Sequence, residues 1–226
     1  MENSEYLEKL KNILIAPDGK GLHDYSMLQP IVMDNIKECL QDVIENNIEG
    51  DFIETGVWKG GGCIFAHHVI KTLGSNKKVY VADSFEGLPK PNIDKCPVDS
   101  GDEHWTYDHL KISLEQVKSN FEHFAPLDDS VVFIKGWFKD TMFPPPVEKL
   151  SVLRLDGDMY ESTIDVLESL YPNLSVGGYC IIDDWGLHRC RKAVEDYREK
   201  YNISDEIIVI NPDFTVPSAY WKKMNK

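Results

Sequence analysis

After Asp51 the chain alternates short apolar runs with amphipathic stretches, and this alternation limits the fold more than any other feature. The runs are FIETGV, KVYVADSF, SVVFIKG, LSVLRLDGD, GGYCIIDDW, EIIVINP and Thr215 to Lys222. Between them lie helical patterns. One carries Ile64, Phe65, Val69, Ile70 and Leu73, and another spans residues 108 to 124. A third is STIDVLESLYPNL, with Ser162 as its N-cap, and a fourth is HRCRKAVEDYREKY. Strands and helices in this order form one mostly parallel sheet with helices on both faces, an α/β fold. Upstream, Tyr6, Leu7, Leu10, Ile13 and Leu14 recur at helical spacing, and Pro17, Gly19 and Gly21 interrupt them. A second helical stretch after Pro30 carries Ile31, Val32, Ile36, Leu40, Val43 and Ile44. The expected organisation is an N-terminal helical extension over residues 1–50 and one α/β domain over 51–226.

Charge narrows the partners. Lys and Arg number 24 against 38 Asp and Glu, a formal net charge of −14. That balance lacks the basic footprint of a nucleic-acid binder or of a protein that docks on anionic membranes. No run reaches the roughly 18 apolar residues of a membrane-spanning helix. The opening MENSEYLEKLKNI has no apolar signal-peptide core. Five cysteines at wide spacing, 39, 63, 96, 180 and 190, form no C-x-x-C pair. Free thiols in a reducing cytoplasm are the expectation.

Three signals point to chemistry. Glu54-Thr55-Gly56-Val57, followed by Gly60-Gly61-Gly62, puts an acid at a strand's carboxyl end and glycines at the next helix start. This is the layout of a nucleotide site, and equally of a plain strand–helix turn with structural glycines. Asp83 ends the next strand, where a carboxylate can bind both ribose hydroxyls of an adenosine cofactor or merely close a turn. Asp156-Gly157-Asp158 and Asp183-Asp184 end two further strands. Gathered at the carboxyl ends of the strands, four carboxylates repel one another unless a divalent cation joins them, for which an all-oxygen set suits Mg²⁺ or Ca²⁺; the other reading is solvated aspartates that merely end strands. Glu161 and Asp165 read as a helix-start acid and a solvated face. His67, His68 and His188 read as structural or surface residues, although His188 follows the Asp183-Asp184 strand end and can face the site. Lys59 and Arg154 fit either reading. Gly87 to Gly101 is a long loop rich in Pro, Asp and Gly, a common form for a covering segment. Pro144-Pro145-Pro146 is a stiff linker, and Tyr220 and Trp221 pack in the core or at an edge.

Together, ETGVWKGG, ADSFEGLP, KGWFKDT, LRLDGDMYESTIDVLESLYPNLSVGGYCIIDDW and the CRKAVEDYR helix resemble the TylF family. Its members are metal-dependent O-methyltransferases that act on sugar hydroxyls of natural products such as macrolide and aminocoumarin antibiotics. The resemblance covers roughly residues 20 to 226, including Tyr25-Ser26-Met27. It implies a class I methyltransferase fold, a seven-stranded Rossmann-like sheet with a reversed hairpin at its end, and S-adenosylmethionine as methyl donor. It assigns Asp156, Asp183 and Asp184 to Mg²⁺ and Asp158 to the general base; apart from the resemblance, the position of His188 after Asp183-Asp184 makes it the alternative base. Glu54, Thr55 and Gly56 fall beside the donor's methionine part, Asp83 and Ser84 beside its ribose, and Gly136, Trp137 and Phe138 beside its adenine. Gly87 to Trp105 matches a mobile lid. The N-terminal extension is shorter than in the family, whose members use that region for dimer contacts and part of the acceptor site. A homodimer is a further expectation of the resemblance.

The chemistry explains the residue types. A sulfonium methyl is already electrophilic, whereas a sugar hydroxyl holds its proton tightly. A carboxylate-bound Mg²⁺ lowers the hydroxyl pKa and fixes the oxygen, and a neighbouring carboxylate takes the proton. Two other readings fit the same residues: methylation of a non-sugar vicinal diol, and a non-catalytic binder of an adenine cofactor.

Overall fold

A computed structural model describes residues 2–16 and 25–225. Apolar side chains alternate along its strands and divide the core into two layers, one on each face of the sheet. In β1 (Asp51–Thr55) Phe52 joins the first layer and Ile53 the second. In β4 (Leu150–Leu155) Val152 joins the first, and Leu153 and Leu155 the second. Burial on both faces is what a parallel sheet covered by helices requires. The other strands are β2 (Val79–Asp83), β3 (Val131–Lys135), β5 (Leu174–Ile182), β6 (Ile208–Ile210) and β7 (Ser218–Lys222).

The seven strands lie in the order β3-β2-β1-β4-β5-β7-β6. Strands β1 to β5 pair in parallel, and β7 runs antiparallel to both β5 and β6. The expected mostly parallel sheet with a reversed strand near its end is therefore present. The chain builds outward from β1 to β3, then returns to lay β4 on the other side of β1. That reversal opens a crevice at the carboxyl ends of β1 and β4, where ligands bind in sheets of this kind.

Helices α1 (Glu2–Leu14), α2 (Pro30–Glu45), α3 (Gly61–Thr72) and α4 (Leu114–Phe124) supply the first layer. Leu7, Leu10 and Leu14 of α1 and Val32, Met33, Ile36, Leu40 and Val43 of α2 are buried in the same cluster as α3. Helices α5 (Phe138–Thr141), α6 (Tyr160–Leu170) and α7 (His188–Lys200) cover the second. Trp221 is fully buried there, its Nε1–H donating to the Tyr171 hydroxyl at 3.1 Å, while Tyr220 is half-buried against the opposite layer. The break expected at Pro17, Gly19 and Gly21 lies outside the described residues.

Two helix starts differ from expectation. The helix read over 108 to 124 begins only at Leu114, because the Ser113 hydroxyl caps it by accepting from Gln116 N at 3.2 Å. The preceding residues form short 3₁₀ turns at His104–Thr106 and Asp108–Leu110. Ser162 is not the cap of α6: the helix starts at Tyr160, and its first N–H groups go to a distant acid. Asp99, fully buried, accepts from Tyr160 N at 2.7 Å and Glu161 N at 3.0 Å. The negative carboxylate at the positive end of a helix pins the long loop to α6.

Candidate active site

The first half of the site is made by turns. Gly56 leaves β1 with φ +86°, and a Cβ there would stand 1.6 Å from the Asp156 carbonyl oxygen. Only glycine lets the ends of β1 and β4 meet so closely. Gly62, at the start of α3, lies so near Glu54 that a Cβ would reach its Oε1 at 2.6 Å. Asp83 ties the neighbouring strand ends together: Oδ2 accepts from Val57 N at 2.8 Å and Oδ1 from Phe85 N at 2.7 Å. Burial pushes its pKa up, and these backbone N–H groups pull it back. Gly136 N donates to the Asp83 carbonyl at 2.9 Å and so sets the end of β3 beside β2.

Gly56, Asp83, Ser84, Gly136, Trp137 and Phe138 line one cleft of about 300 Å³. The long loop covers it through Gly87, Leu88, Pro89, Lys90, Asn92 and Lys95. Lys95 reaches Glu161 at 2.9 Å and Asp165 at 3.7 Å. Both acids line the cleft and receive a lysine from the loop: Glu161 is the first-turn acid of α6, as read, whereas Asp165, read as a solvated face, is largely buried against Lys95. Thr55 is buried away from the cleft, its hydroxyl donating to the Arg154 carbonyl at 3.4 Å. Glu54 lines the adjoining cavity instead, and its carboxylate is bound by Arg154 and by the Cys63 thiol at 2.8 Å.

That second cavity, about 350 Å³, shares Met27, Trp58, Asp156 and Asp158 with the first. Asp183 and Asp184 also line it. Asp156, Asp158 and Asp184 each bring a carboxylate oxygen within 4.8 Å of the others. Asp158 adopts a left-handed backbone, φ +55°, and its N–H donates to Asp184 Oδ2 at 2.9 Å. Burial, then the charges of Asp156, Asp102 and Asp183, push Asp158 up to about 8. Burial and neighbouring aspartates drive Asp156 and Asp184 well above the carboxylate range. A divalent cation relieves all three at once, and the all-oxygen donor set fits Mg²⁺ or Ca²⁺. Asp183 stands apart from this trio: its Oδ1 accepts from Arg154 Nη2 at 2.6 Å and from the Ser218 hydroxyl at 3.1 Å. The sequence reading grouped Asp183 with Asp156 and Asp184. The converging oxygens belong to Asp156, Asp158 and Asp184.

Arg154 is the residue that sequence reasoning left open. It lies fully buried in β4, opposite Glu54 in register, and its Nη1 serves both Glu54 and, at 3.1 Å, Asp156 Oδ2. Burial opposes its charge, yet Asp183, Glu54 and Asp156 together raise its pKa. The signal was a lone arginine inside the apolar run LSVLRL, two residues before Asp156. His188 opens α7 exposed and lines neither cavity, so it does not face the site. The histidines beside the carboxylates are His104 and His109 of the long loop. Their only sequence signal is a nearby acid, Asp102 two residues before His104 and Asp108 directly before His109. His67 is buried and bonded to Ser130, and His68 meets Tyr6, both in structural roles.

A 3-2-1-4-5-7-6 sheet, with a glycine turn after β1 and an acid at the end of β2, defines the class I methyltransferase architecture. Solved methyltransferases share it at low identity; one is a putative caffeoyl-CoA O-methyltransferase from Staphylococcus aureus, 16% identical over 98% of this chain and all of that one, TM-score 0.59. The family model described as Macrocin-O-methyltransferase (TylF) matches residues 17–223, and the chain belongs to this family of O-methyltransferases. Among its relatives is an 8-demethyl-8-(2,3-dimethoxy-alpha-L-rhamnosyl)-tetracenomycin-C 4'-O-methyltransferase of Streptomyces olivaceus, 48% identical over 79% of this chain and 69% of that protein. The demethyldecarbamoylnovobiocin O-methyltransferase of Streptomyces niveus is 40% identical over 98% of this chain and 83% of the relative. The solved O-methyltransferase NovP superposes with TM-score 0.91 at 37% identity, covering 99% of this chain and all of that one.

Proposed function

We propose that the protein moves a methyl group from S-adenosylmethionine to a hydroxyl of a sugar on a small natural product, with Mg²⁺ at its carboxylates. The observation that carries this reading is the sharing of Asp156 and Asp158 by two adjoining cavities, one lined by Gly56, Asp83 and Gly136 and the other by Asp183 and Asp184. The cleft beside Gly56, Asp83 and Gly136 has the glycines and the strand-end acid that an adenosine donor needs. The neighbouring cavity holds acids that call for a cation and a polyhydroxyl acceptor. The tetracenomycin relative, whose name places its methyl on a rhamnosyl compound, supports a sugar as that acceptor.

Each residue then has a task. Asp83 and Ser84 hold the ribose, Gly56 lets the methionine part approach the backbone, and Gly136, Trp137 and Phe138 border the adenine. Asp156, Asp183 and Asp184 would hold the cation, and Arg154, which binds Glu54 and Asp183 Oδ1, would fix where these acids stand. When bound, Mg²⁺ lowers the pKa of an acceptor hydroxyl and offsets the carboxylate charge. Asp158 stands where the two cavities meet, so it can take the hydroxyl proton as the oxygen attacks the methyl carbon. The carbon–sulfur bond electrons leave on sulfur. Lys95, bridged to Glu161 and Asp165, holds the loop over the donor cleft and excludes water.

The test is release of S-adenosylhomocysteine from S-adenosylmethionine with aryl 6-deoxyhexosides, before and after EDTA. Turnover should require Mg²⁺, vanish with EDTA and return on adding Mg²⁺. Full activity after EDTA would contradict the metal role, and turnover of catechol but of no glycoside would favour the non-sugar diol.

A further inference from the structure

Asp102 and His104 in the long loop form a pair that the steps above do not use. Asp102 is buried, with its side chain 1% exposed, and both its oxygens fix the same histidine. Oδ1 accepts the His104 backbone N–H at 2.9 Å, and Oδ2 meets ring Nδ1 at 2.8 Å. A carboxylate can only accept here, so Nδ1 carries the hydrogen, and in the neutral ring Nε2 is the nitrogen left to accept. The ring is further held by Tyr107, edge-on at 5.5 Å, while one third of the side chain stays open on the wall of the carboxylate cavity.

A purely structural histidine does not explain this arrangement. The turn is already tied to α7 by Arg189, which donates to the Ser100 carbonyl at 2.8 Å and lies 3.8 Å from Asp102. It is tied across the site by Trp58, whose Nε1–H donates to the His109 carbonyl at 2.8 Å. Removing the imidazole leaves both ties. The imidazole also lines the cavity that Asp156, Asp158 and Asp184 line, and its neutral Nδ1–H form has Nε2 to offer as an acceptor there.

We infer that His104 is an acceptor-contacting residue: its Nε2 accepts a hydrogen bond from a hydroxyl of the bound acceptor, and Asp102 fixes the tautomer and ring angle that make this bond. This inference rests on the methyltransferase reading. It assigns the loop a part in selecting the acceptor as well as in covering the donor. A hydroxyl held from the loop side by Nε2 is presented to the carboxylates with its orientation already set.

The experiment compares wild type, His104→Ala, Asp102→Asn and the double variant, loaded with Mg²⁺ and assayed with aryl 6-deoxyhexosides. His104→Ala should lower kcat/KM for the glycoside about 10–100-fold, the scale of one lost charge-oriented hydrogen bond. The KM for S-adenosylmethionine and the affinities for S-adenosylhomocysteine and Mg²⁺ should stay within about twofold, since neither site loses a contact. Asp102→Asn puts an amide beside Nδ1, whose NH₂ donates and moves the ring hydrogen to Nε2. It should cost about as much as His104→Ala, and the double variant should be no worse than either alone. Side-chain ¹⁵N spectra of the unloaded protein should show the Nδ1–H tautomer in wild type and the Nε2–H tautomer in Asp102→Asn. Glycoside kinetics unchanged in His104→Ala, additive losses, or an Nε2–H tautomer in wild type would each overturn the inference alone. A wild-type enzyme that turns over no glycoside would overturn the reading beneath it, and this inference with it.

Discussion

Two sets of acids meet at the ends of β4 and β5, and Asp156 belongs to both. In the first, Glu54, Asp183 and one oxygen of Asp156 surround the guanidinium of Arg154. In the second, Asp156, Asp158 and Asp184 converge, and no salt bridge reaches Asp158 or Asp184 among the described residues. The first set carries its cation in the chain and is locked whether or not a ligand is present. The second has no such partner: Asp184 is buried and Asp156 and Asp158 half-buried, and like charges this close favour protonation or a bound cation. The difference separates two parts of one cluster: Arg154 fixes where its carboxylates stand, and the trio has no cation of the chain's own beside Asp158 or Asp184 among the described residues.

Removing the built-in cation should have the largest effect. Arg154→Met leaves Glu54, Asp183 and Asp156 buried without their partner and should cost about 3–5 kcal/mol of stability. The change in chemical-denaturation midpoint measures this; a loss under about 1 kcal/mol would mean that the first set is no more locked than the second. Next in size is the base. Asp158→Asn keeps the shape and removes the basicity, so kcat should fall about 10²–10⁴-fold while S-adenosylhomocysteine still binds. A titration of Mg²⁺ against turnover sharpens the result: full recovery at high Mg²⁺ would make Asp158 a ligand, as its place in the converging trio allows, and would free Asp183 from that role.

The unbalanced trio also predicts a pH dependence. Asp158, pushed up to about 8 in the folded chain, titrates near 3.9 when unfolded. Folding therefore takes up protons between those values, and this contribution to stability is full below about pH 4 and lost as pH rises toward about 8. The melting temperature of cation-free protein should fall across that window. Asp158→Asn should flatten the fall by roughly 2–4 °C for each kcal/mol regained. An identical slope in the variant would show that the trio is not the source. The smallest effect belongs to the loop anchor. Asp99→Ala removes the acceptor for Tyr160 N and Glu161 N and should cost about 0.5–2 kcal/mol, the usual value of a helix cap, read again from the denaturation midpoint. An unchanged midpoint would mean that water replaces Asp99 without cost.

The sheet was legible because its signals are local. Apolar runs ending in Gly56, Asp83 and Asp184 mark the strands, and glycines forced by close approach mark the crevice. The donor cleft follows from the same residues, since strand ends lie where the topology puts them. Contacts made over long sequence separation were not legible. Asp99 caps a helix 61 residues away, and no pattern near Tyr160 announces it. Arg154 reads as an anomaly in an apolar strand until Glu54 and Asp183 are seen around it. His104 gains its meaning only when the loop folds over the carboxylates, and for the same reason the exposed His188 drew attention that its position does not support.

The proposed reaction depends most on a divalent cation held by the unbalanced acids. Calorimetric titration of Mg²⁺ into wild type and Asp184→Asn, both loaded with S-adenosylhomocysteine, tests it directly. Asp184 belongs to the converging trio and has no salt bridge among the described residues, so its loss should weaken Mg²⁺ binding by on the order of 100-fold while S-adenosylhomocysteine affinity holds. Equal Mg²⁺ affinity in the two proteins, or no saturable Mg²⁺ binding to wild type at all, would contradict it.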